Sequence, residues 1–368
     1  MRGPRQYFDW PLFVAVALIC LLGLLNLYSA TSAYPEELGQ LYIQQLYWLA
    51  IGGGIAVLVA AIDYRHYERF AWVGYGACVV LLLLVFLLAP EVRGSQRWIY
   101  IGSLSLQPSE LAKPILIIAL AKHLHNDPKT EGRTLRDLIL PALILAGPTS
   151  LILLQPDLGT ALICAFIFAS IMVLTNLKLR SLLTLIGGFA LAAVPLYTLA
   201  LQNYQRARFE TWWAMITGKE IDIRGEAWQV YQSLVAIGSG GVWGKGFLQG
   251  TQNQHRFVPD THSDFPFSVW AEEHGFFGVS LLLGLYLFLI LWALRIASTA
   301  KDRFGAVTAV GAAAFLFWHS VINIVMVCGL LPVVGITLPF FSYGGSSLLS
   351  SMITIGLLMN VSMRRFTF

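Results

Sequence analysis

Apolar stretches, each about as long as a bilayer-spanning helix, alternate with short polar segments along almost the whole chain. A transmembrane helix needs about 20 mostly apolar residues. The fourth such stretch is short and only Gln155-Pro156-Asp157 separates the fifth from the sixth, so eight spans remain an alternative. The pattern predicts an all-α polytopic membrane protein with about ten transmembrane helices, at residues 11–30, 43–62, 71–90, 109–125, 137–155, 158–177, 182–201, 266–295, 304–328 and 341–362.

One long polar segment, residues 202–265, interrupts this alternation between the seventh and eighth predicted spans. Within it, the aromatic and aliphatic residues of 209–216 predict a short amphipathic helix on the membrane surface. The apolar run 230–237 is too short to span and predicts a re-entrant or interfacial helix. The glycine-dense piece 238–246 predicts tight turns or close backbone approach. We therefore expect a structured loop.

The composition supports one membrane domain over residues 1–368, with the loop 202–265 inside it. The chain is 57% hydrophobic and 12% charged, whereas soluble proteins carry about 25% charged residues. The net charge of +4 comes without a basic cluster interleaved with aromatics, so we expect no nucleic-acid partner. The four cysteines all fall in apolar runs without metal-ligand spacing, which predicts free core thiols.

The basic residues predict the orientation of the chain. Positively charged residues concentrate in the cytoplasmic loops of membrane proteins. With both termini in the cytoplasm, the short outer loops hold only Arg93 and Arg97, and most other lysines and arginines outside the long loop lie on the inner side. This orientation makes residues 202–265 extracytoplasmic.

Several ionisable residues fall within or beside the predicted spans, where charge is costly and usually faces a polar cavity. Glu110 and Lys113 stand three apart on one helix face, so they either neutralise each other or hold a polar substrate group. Asp157 fits the N-cap of the sixth span. Asp264, next to Ser263, is either the N-cap of the eighth span or a catalytic carboxylate held where water meets lipid.

Other common chemistries lack their motifs in this sequence. No Walker loop and no G-x-S-x-G elbow is present, which disfavours ATP-driven transport and a serine hydrolase of that type. No spacing of histidine, cysteine and aspartate matches a zinc site. The sequence requires no cofactor, although a divalent cation remains possible.

Five blocks in order along the chain resemble the signature of the SEDS family, named for shape, elongation, division and sporulation. They cover nearly the whole chain, and Asn323 precedes the last of them. The blocks are Arg93–Ile99, Gln107–Lys113, Gln155–Gly159, His262–Phe265 and Gly329–Ser346. Departures from the family pattern occur at Asp260, Pro266 and His274, where the family usually has Glu, Ile and Leu.

This resemblance implies a ten-span peptidoglycan glycosyltransferase that polymerises lipid II on the outer face of the cytoplasmic (inner) membrane. It also implies a class B penicillin-binding protein, a transpeptidase, as partner. The short cytoplasmic tails look more like the elongation branch of the family, RodA, than the division branch, FtsW. The essential aspartate of the family maps onto Asp264, and its paired acid and lysine map onto Glu110 and Lys113.

The chemistry implied is an inverting displacement at the anomeric carbon of lipid II, with Asp264 as general base and cations on the leaving pyrophosphate. The residues that we expect to bind the substrate or shape the site are Glu110, Lys113, Arg93, Arg97, Trp98, Arg206, Arg208, Lys245, Ser342, Tyr343, Gly344, Gly345 and Ser346.

Two other functions compete with the enzyme. A lipid II flippase needs polar residues through the full bilayer, whereas the costly charges here cluster in the outer half. A non-catalytic scaffold for the transpeptidase would not need an acid at position 264. The position of the charges favours the glycosyltransferase over the flippase, and Asp264→Asn should leave a scaffold working.

Overall fold

The protein is described by a computed structural model that covers residues 8–34, 39–90, 96–101, 104–127, 129, 132–175, 177–195, 203–219 and 227–365. These residues are mostly α-helical, which confirms the predicted class. A single antiparallel hairpin is present in these ranges, and it pairs β1 (Ile99–Ile101) with β2 (Leu104–Leu106).

The helices follow one another with short connections. The first half of the chain contains α1 (Trp10–Ser32), α2 (Leu41–Ala61), α3 (Tyr64–Arg69), α4 (Ala71–Leu88), α5 (Pro108–Asn126), a 3₁₀ turn (Leu135–Leu138), α6 (Ile139–Leu154) and α7 (Leu158–Leu174). The second half contains α8 (Leu179–Pro195), α9 (Asn203–Thr217), α10 (Trp228–Gly240), α11 (Thr251–Gln254), α12 (Pro266–Ser298), α13 (Arg303–Val327) and α14 (Gly345–Arg364).

Seven helical segments in the described part of the chain are long and apolar enough to cross a membrane. They are α1, α2, α4, the segment Leu135–Leu154, α12, α13 and α14. Helices α5, α7 and α8 occupy the three other predicted positions, and α7 is a shorter apolar helix. The protein is therefore a multi-pass membrane protein, and the count of ten spans stays a prediction.

Helix α5 carries more polar residues than its neighbours because it is enclosed by protein. It packs against α4, α13 and α14, and Glu110 and Lys113 are both buried. Small residues let these helices approach closely, as is common between membrane helices. A Cβ on Gly311 of α13 would lie only 2.6 Å from Cγ2 of Ile117 on α5.

Helix α12 is broken at Gly275, which has φ 59° and ψ −157°. The break frees backbone groups, and the loop after α10 pairs with them. The amide of Lys245 donates to the carbonyl of Glu272 (3.0 Å), and the amide of Phe276 donates to that of Gly241 (2.9 Å). The glycine-dense segment therefore approaches another backbone closely, as its composition predicts.

The two longer helices of the polar segment match the two helical runs predicted there. Helix α9 covers the predicted run 209–216, and α10 covers the run 230–237. Helix α10 packs on α12, and Ser233 donates to the carbonyl of Val327 at the end of α13 (2.8 Å). All four cysteines lie in the described residues and are free.

Candidate active site

Asp264 lies in a turn that is tied to two other parts of the chain. The carbonyl of Asp260 accepts from the amide of Asp264 (3.1 Å). Asn323 on α13 donates through Nδ2 to the carbonyls of Asp264 (3.0 Å) and Ile336 (2.6 Å). The amide of Tyr343 donates to the carbonyl of His262 (2.8 Å). The turn is thereby fixed against α13 and the segment before α14.

Asp264 does not cap helix α12. The N-cap of α12 is Phe265, and no side chain makes a capping hydrogen bond there. Pro266 is the first helical residue, where its missing N–H costs nothing, and its carbonyl accepts from Asn26 of α1 (3.0 Å). The carboxylate of Asp264 therefore makes no capping hydrogen bond and is available for another role.

Asp264 lines two adjoining cavities. The first, the α5 cavity, has a volume of about 330 Å³ and reaches down to Glu110, Lys113 and His319. The second, the α9 cavity, has a volume of about 650 Å³ and extends towards Tyr204 and Arg208 on α9. The residues that line both are Arg97, Trp98, Asp157, Ser263, Asp264 and Gly335. Asp264 therefore stands where the two cavities meet.

The surroundings of Asp264 make it a stronger base than an ordinary aspartate. Burial, and then the nearby Asp260 carboxylate, raise its pKa to about 6, against the opposing effects of Arg208 and Ser263. A carboxylate with a pKa close to the working pH can take a proton efficiently and still be ionised at neutral pH. Asp264 has the properties of a general base.

Glu110 and Lys113 are in contact at the far side of the α5 cavity. Lys113 Nζ lies 2.7 Å from Glu110 Oε2 and 3.0 Å from His319 Nε2, and the ring centroid of Phe315 is 5.5 Å away. Lys113 is the most deeply enclosed cation of the cavity. Its ammonium supplies positive charge to whatever occupies this space.

Asp157 does cap α7, as its position predicts, and it also organises the wall between the cavities. One carboxylate oxygen accepts from the amide of Thr160 (3.3 Å). The other accepts from Gln107 Nε2 (2.7 Å) and Ser109 Oγ (2.9 Å), and Arg97 lies 3.9 Å away. Donors already surround both oxygens of this carboxylate.

The basic residues expected at the site are not all brought to it. Arg97 lines both cavities, and Arg208 lines the α9 cavity while donating to the carbonyl of Val333 (3.1 Å). Arg206, also on α9, lines neither cavity. Arg93 lies outside the described residues.

The structure places Lys245 outside the two cavities. Its Nζ lies 2.7 Å from Glu272 Oε1 on α12 and donates to Thr251 (2.8 Å), and Lys245 lines neither cavity. A fully buried carboxylate needs a partner charge, and Lys245 fills that role for Glu272.

The segment 342–346 shapes the α5 cavity. Tyr343, Gly344 and Gly345 line it. A Cβ on Gly345 would lie 2.2 Å from the Trp48 ring, so only glycine fits there. Ser342 and Ser346 are buried, and their hydroxyls accept from the amides of Leu338 and Gln107, respectively (2.8 Å each). These two serines hold the backbone rather than face the cavity.

Sequence reasoning did not find His319 or Gln107 as site residues. Gln107 orients Asp157, and His319 contacts Lys113. His319 lies four residues before Asn323, and the helical period that places both on one face of α13 was the available signal. His262, close to Asp264, also lines the α5 cavity, and burial lowers its pKa.

The departures from the family pattern fit the local structure. Asp260 adopts a positive φ of 50° and raises the pKa of Asp264. The ring of His274 stacks on Trp270, with centroids 3.7 Å apart.

Among the described residues, no group of three or more His, Cys, Asp or Glu side chains could hold a metal ion.

Comparison with known proteins places the chain in one family. The model of the FtsW/RodA/SpoVE family, described as cell cycle protein, matches residues 9–366. The chain is 38% identical over 352 residues to the peptidoglycan glycosyltransferase MrdB of Escherichia coli K12, covering 95% of this chain and 93% of that protein. It is 34% identical to a probable peptidoglycan glycosyltransferase FtsW of Trichlorobacter lovleyi, covering 98% and 95%.

Solved structures show the same fold. The crystal structure of the rod shape determining protein RodA of Thermus thermophilus superposes with a TM-score of 0.72 at 34% identity, covering 98% of each chain. A chain from a peptidoglycan synthase complex, described as coordinating polymerization and crosslinking, superposes with a TM-score of 0.80 at 34% identity and covers 98% of this chain and 99% of its own.

Proposed function

This chain belongs to the FtsW/RodA/SpoVE family of cell cycle proteins, and from that premise we propose that it is a peptidoglycan glycosyltransferase serving cell elongation. It polymerises lipid II into glycan strands and releases undecaprenyl pyrophosphate. The observation that carries this proposal is Asp264, a carboxylate with a pKa raised to about 6 at the junction of two cavities.

The reaction joins two lipid-linked sugars, so it needs a base between two substrates. Asp264 takes the proton from the 4-hydroxyl of the acceptor sugar as that oxygen attacks the anomeric carbon of the donor. The bond from this carbon to the pyrophosphate breaks, and configuration inverts. A positioned base contributes about 10²- to 10⁴-fold to such a step. The two adjoining cavities provide room on either side of the carboxylate.

The leaving pyrophosphate carries negative charge that cations of the site stabilise. Lys113 in the α5 cavity, Arg208 in the α9 cavity and Arg97 in both are the cations suited to this task. The donor is already activated by its pyrophosphate, so no nucleotide is needed. A divalent cation could share the task.

Asp264 is better suited than Asp157 to act as the base, although both line the two cavities. The oxygens of Asp157 accept from Thr160, Gln107 and Ser109. Taking a proton would break these bonds and loosen the start of α7. Asp264 combines a raised pKa with access to both cavities, so proton transfer there disturbs less of the structure.

The proposal also includes the side of the membrane on which the reaction takes place and the partner protein. The basic residues favour both termini in the cytoplasm, which puts the α9 cavity and Asp264 on the outer side of the cytoplasmic membrane. Lipid II is the substrate that reaches this side with its pyrophosphate attached. A class B penicillin-binding protein is the partner that would crosslink the strands.

The test is strand synthesis by the purified protein with its cognate transpeptidase, whose crosslinking is blocked by a β-lactam. We expect glycan strands from lipid II without added nucleotide. A flippase would instead move fluorescent lipid II across vesicle bilayers and make no strands. A scaffold would do neither, and strands would then depend on another polymerase.

A further inference from the structure

His319 is a buried polar residue of the α5 cavity to which the mechanism above gives no task. It lies on α13, and only 2% of its surface is exposed. Its Nε2 atom is 3.0 Å from Lys113 Nζ, and its Nδ1 atom is 3.2 Å from the carbonyl oxygen of Thr337. Both ring nitrogens therefore have a partner.

These two partners fix the tautomer of the ring. A carbonyl oxygen can only accept, so Nδ1 carries the proton and donates to Thr337. An ammonium can only donate, so Nε2 must offer its lone pair to Lys113. His319 is thus a neutral imidazole that accepts a hydrogen bond from a cation.

The ammonium of Lys113 has three N–H groups. Its Nζ forms an ion pair with Glu110 Oε2 (2.7 Å), an oxygen that accepts no hydrogen bond from the described residues, and it donates one N–H to His319. The hydrogen bond to His319 fixes the direction of one N–H, and the ion pair with Glu110 holds the nitrogen in place, so the other N–H groups stay available for a ligand in the cavity. Glu110 alone would leave the ammonium free to rotate about a single contact.

The same face of α13 also holds the segment next to Asp264. Asn323, one turn after His319, donates to the carbonyls of Ile336 and Asp264, and His319 donates to Thr337. This face therefore connects the backbone beside the base with the cation at the far side of the cavity.

We propose that His319 is a positioning residue that aims the Lys113 ammonium at the pyrophosphate of the substrate. This inference rests on the proposed glycosyltransferase activity. His319 touches neither substrate nor reacting atoms in this role and acts through Lys113. The interaction strengthens when the leaving group gains charge, so its loss lowers kcat more than it raises KM.

Two substitutions separate the hydrogen bonds of His319 from its shape. His319→Gln has an amide oxygen to accept from Lys113 and an amide N–H to donate to Thr337, and it should keep kcat within about threefold of wild type. His319→Phe keeps the ring but loses both bonds, and it should lower kcat by about 10- to 100-fold. Trp318→Phe, which removes a bond to Ser170 on α7 (2.8 Å) and part of the stack on Phe166, controls for damage to α13.

A double-mutant cycle tests whether His319 acts through Lys113. In a Lys113→Met background, His319→Phe should change kcat by less than about twofold, because no ammonium remains to be positioned. Multiplicative losses from the two changes, or equal losses from His319→Gln and His319→Phe in well-folded protein, would overturn the proposal.

Binding of undecaprenyl pyrophosphate to the same variants separates this inference from the proposed function. Weaker binding by His319→Phe than by His319→Gln, with the difference absent in the Lys113→Met background, supports the positioning role even if no strands are made. Equal binding by both variants overturns it. Absence of strands from wild type bears on the proposed function alone.

Discussion

The pKa of Asp264 is the result of opposing neighbours. Burial and Asp260 raise it, and Arg208 and Ser263 lower it. The family usually has Glu where Asp260 stands, and its longer side chain would place the second carboxylate differently. The carboxylate at position 260 therefore contributes to the base strength of Asp264.

The raised pKa predicts the acid side of the pH profile. A general base works only when ionised, so strand synthesis should be close to its maximum at neutral pH, half-maximal near the pKa of about 6, and lower still as the pH drops further. Below that point the rate should fall about tenfold per pH unit. The measurement is the initial rate of lipid II polymerisation from pH 8 to 5. An initial rate that does not change between pH 8 and pH 5 would contradict the assignment.

The same pKa predicts that Asp264 weakens the fold. A carboxyl group whose folded pKa is raised from 3.8 to about 6 is destabilising when ionised, and this cost disappears as the pH falls towards 3.8. Asp264→Asn should therefore stabilise the protein at pH 8, by on the order of 1–3 kcal/mol. Thermal unfolding in detergent should show this gain narrowing between pH 8 and pH 5.

Only part of the site could be predicted from single residues. The pairing of Glu110 with Lys113 follows from their spacing on one helix, and Asp264 was a candidate from its position at the end of the polar segment before the family resemblance favoured it. The sequence around Lys245 does not reveal that Glu272, on helix α12, is its ion-pair partner. His319 was missed because a lone histidine in an apolar run shows no sign of the lysine it contacts.

The break in α12 could not be predicted from hydropathy. Hydropathy predicted one continuous span at 266–295, whereas Gly275 divides it and the loop after α10 fills the gap. The glycines of that loop were recognised as a close approach, but the sequence does not say what they approach. The break orients the first part of α12, which begins two residues after Asp264.

A pair of glycine substitutions on α12 tests the importance of this break. At Gly275, φ is +59° and a Cβ would lie 2.3 Å from the amide nitrogen of Gly244. Gly275→Ala should therefore destabilise the protein by roughly 2 kcal/mol or more and reduce strand synthesis. A Cβ on Gly284 meets nothing within 4 Å, so Gly284→Ala should be neutral or slightly stabilising.

Thermal unfolding midpoints and polymerisation rates of the two variants check this expectation. Equal midpoints for Gly275→Ala and Gly284→Ala would mean that the loop adapts to a side chain at position 275, and the break would then not fix the start of α12.

Helix α5 departs from the apolar pattern of the long helices. Seven helical segments in the described part of the chain have the length and composition of spans, whereas α5, which contains Glu110 and Lys113, is not among them. Protein on several sides makes these charges tolerable. Hydropathy predicts the long apolar helices, whereas the central place of α5 depends on packing with α13 and α14 that no local pattern encodes.

The orientation of the chain predicts which positions are reached from outside. In a variant with Cys328 replaced by Ser and the three buried cysteines retained, His255→Cys should react with a membrane-impermeant maleimide in intact cells. Ser298→Cys, at the other end of α12, should react only after the membrane is permeabilised. Both native side chains are exposed. The reverse labelling pattern would place Asp264 on the cytoplasmic side.

Strand synthesis by Asp264→Asn is the decisive experiment for the proposed mechanism. The variant and the wild type would be purified with the transpeptidase and supplied with lipid II, and their thermal unfolding would be recorded in parallel. We predict abundant glycan strands from the wild type and none from a variant that is at least as stable. Strands at a comparable rate from the stable variant would show that Asp264 is not the base.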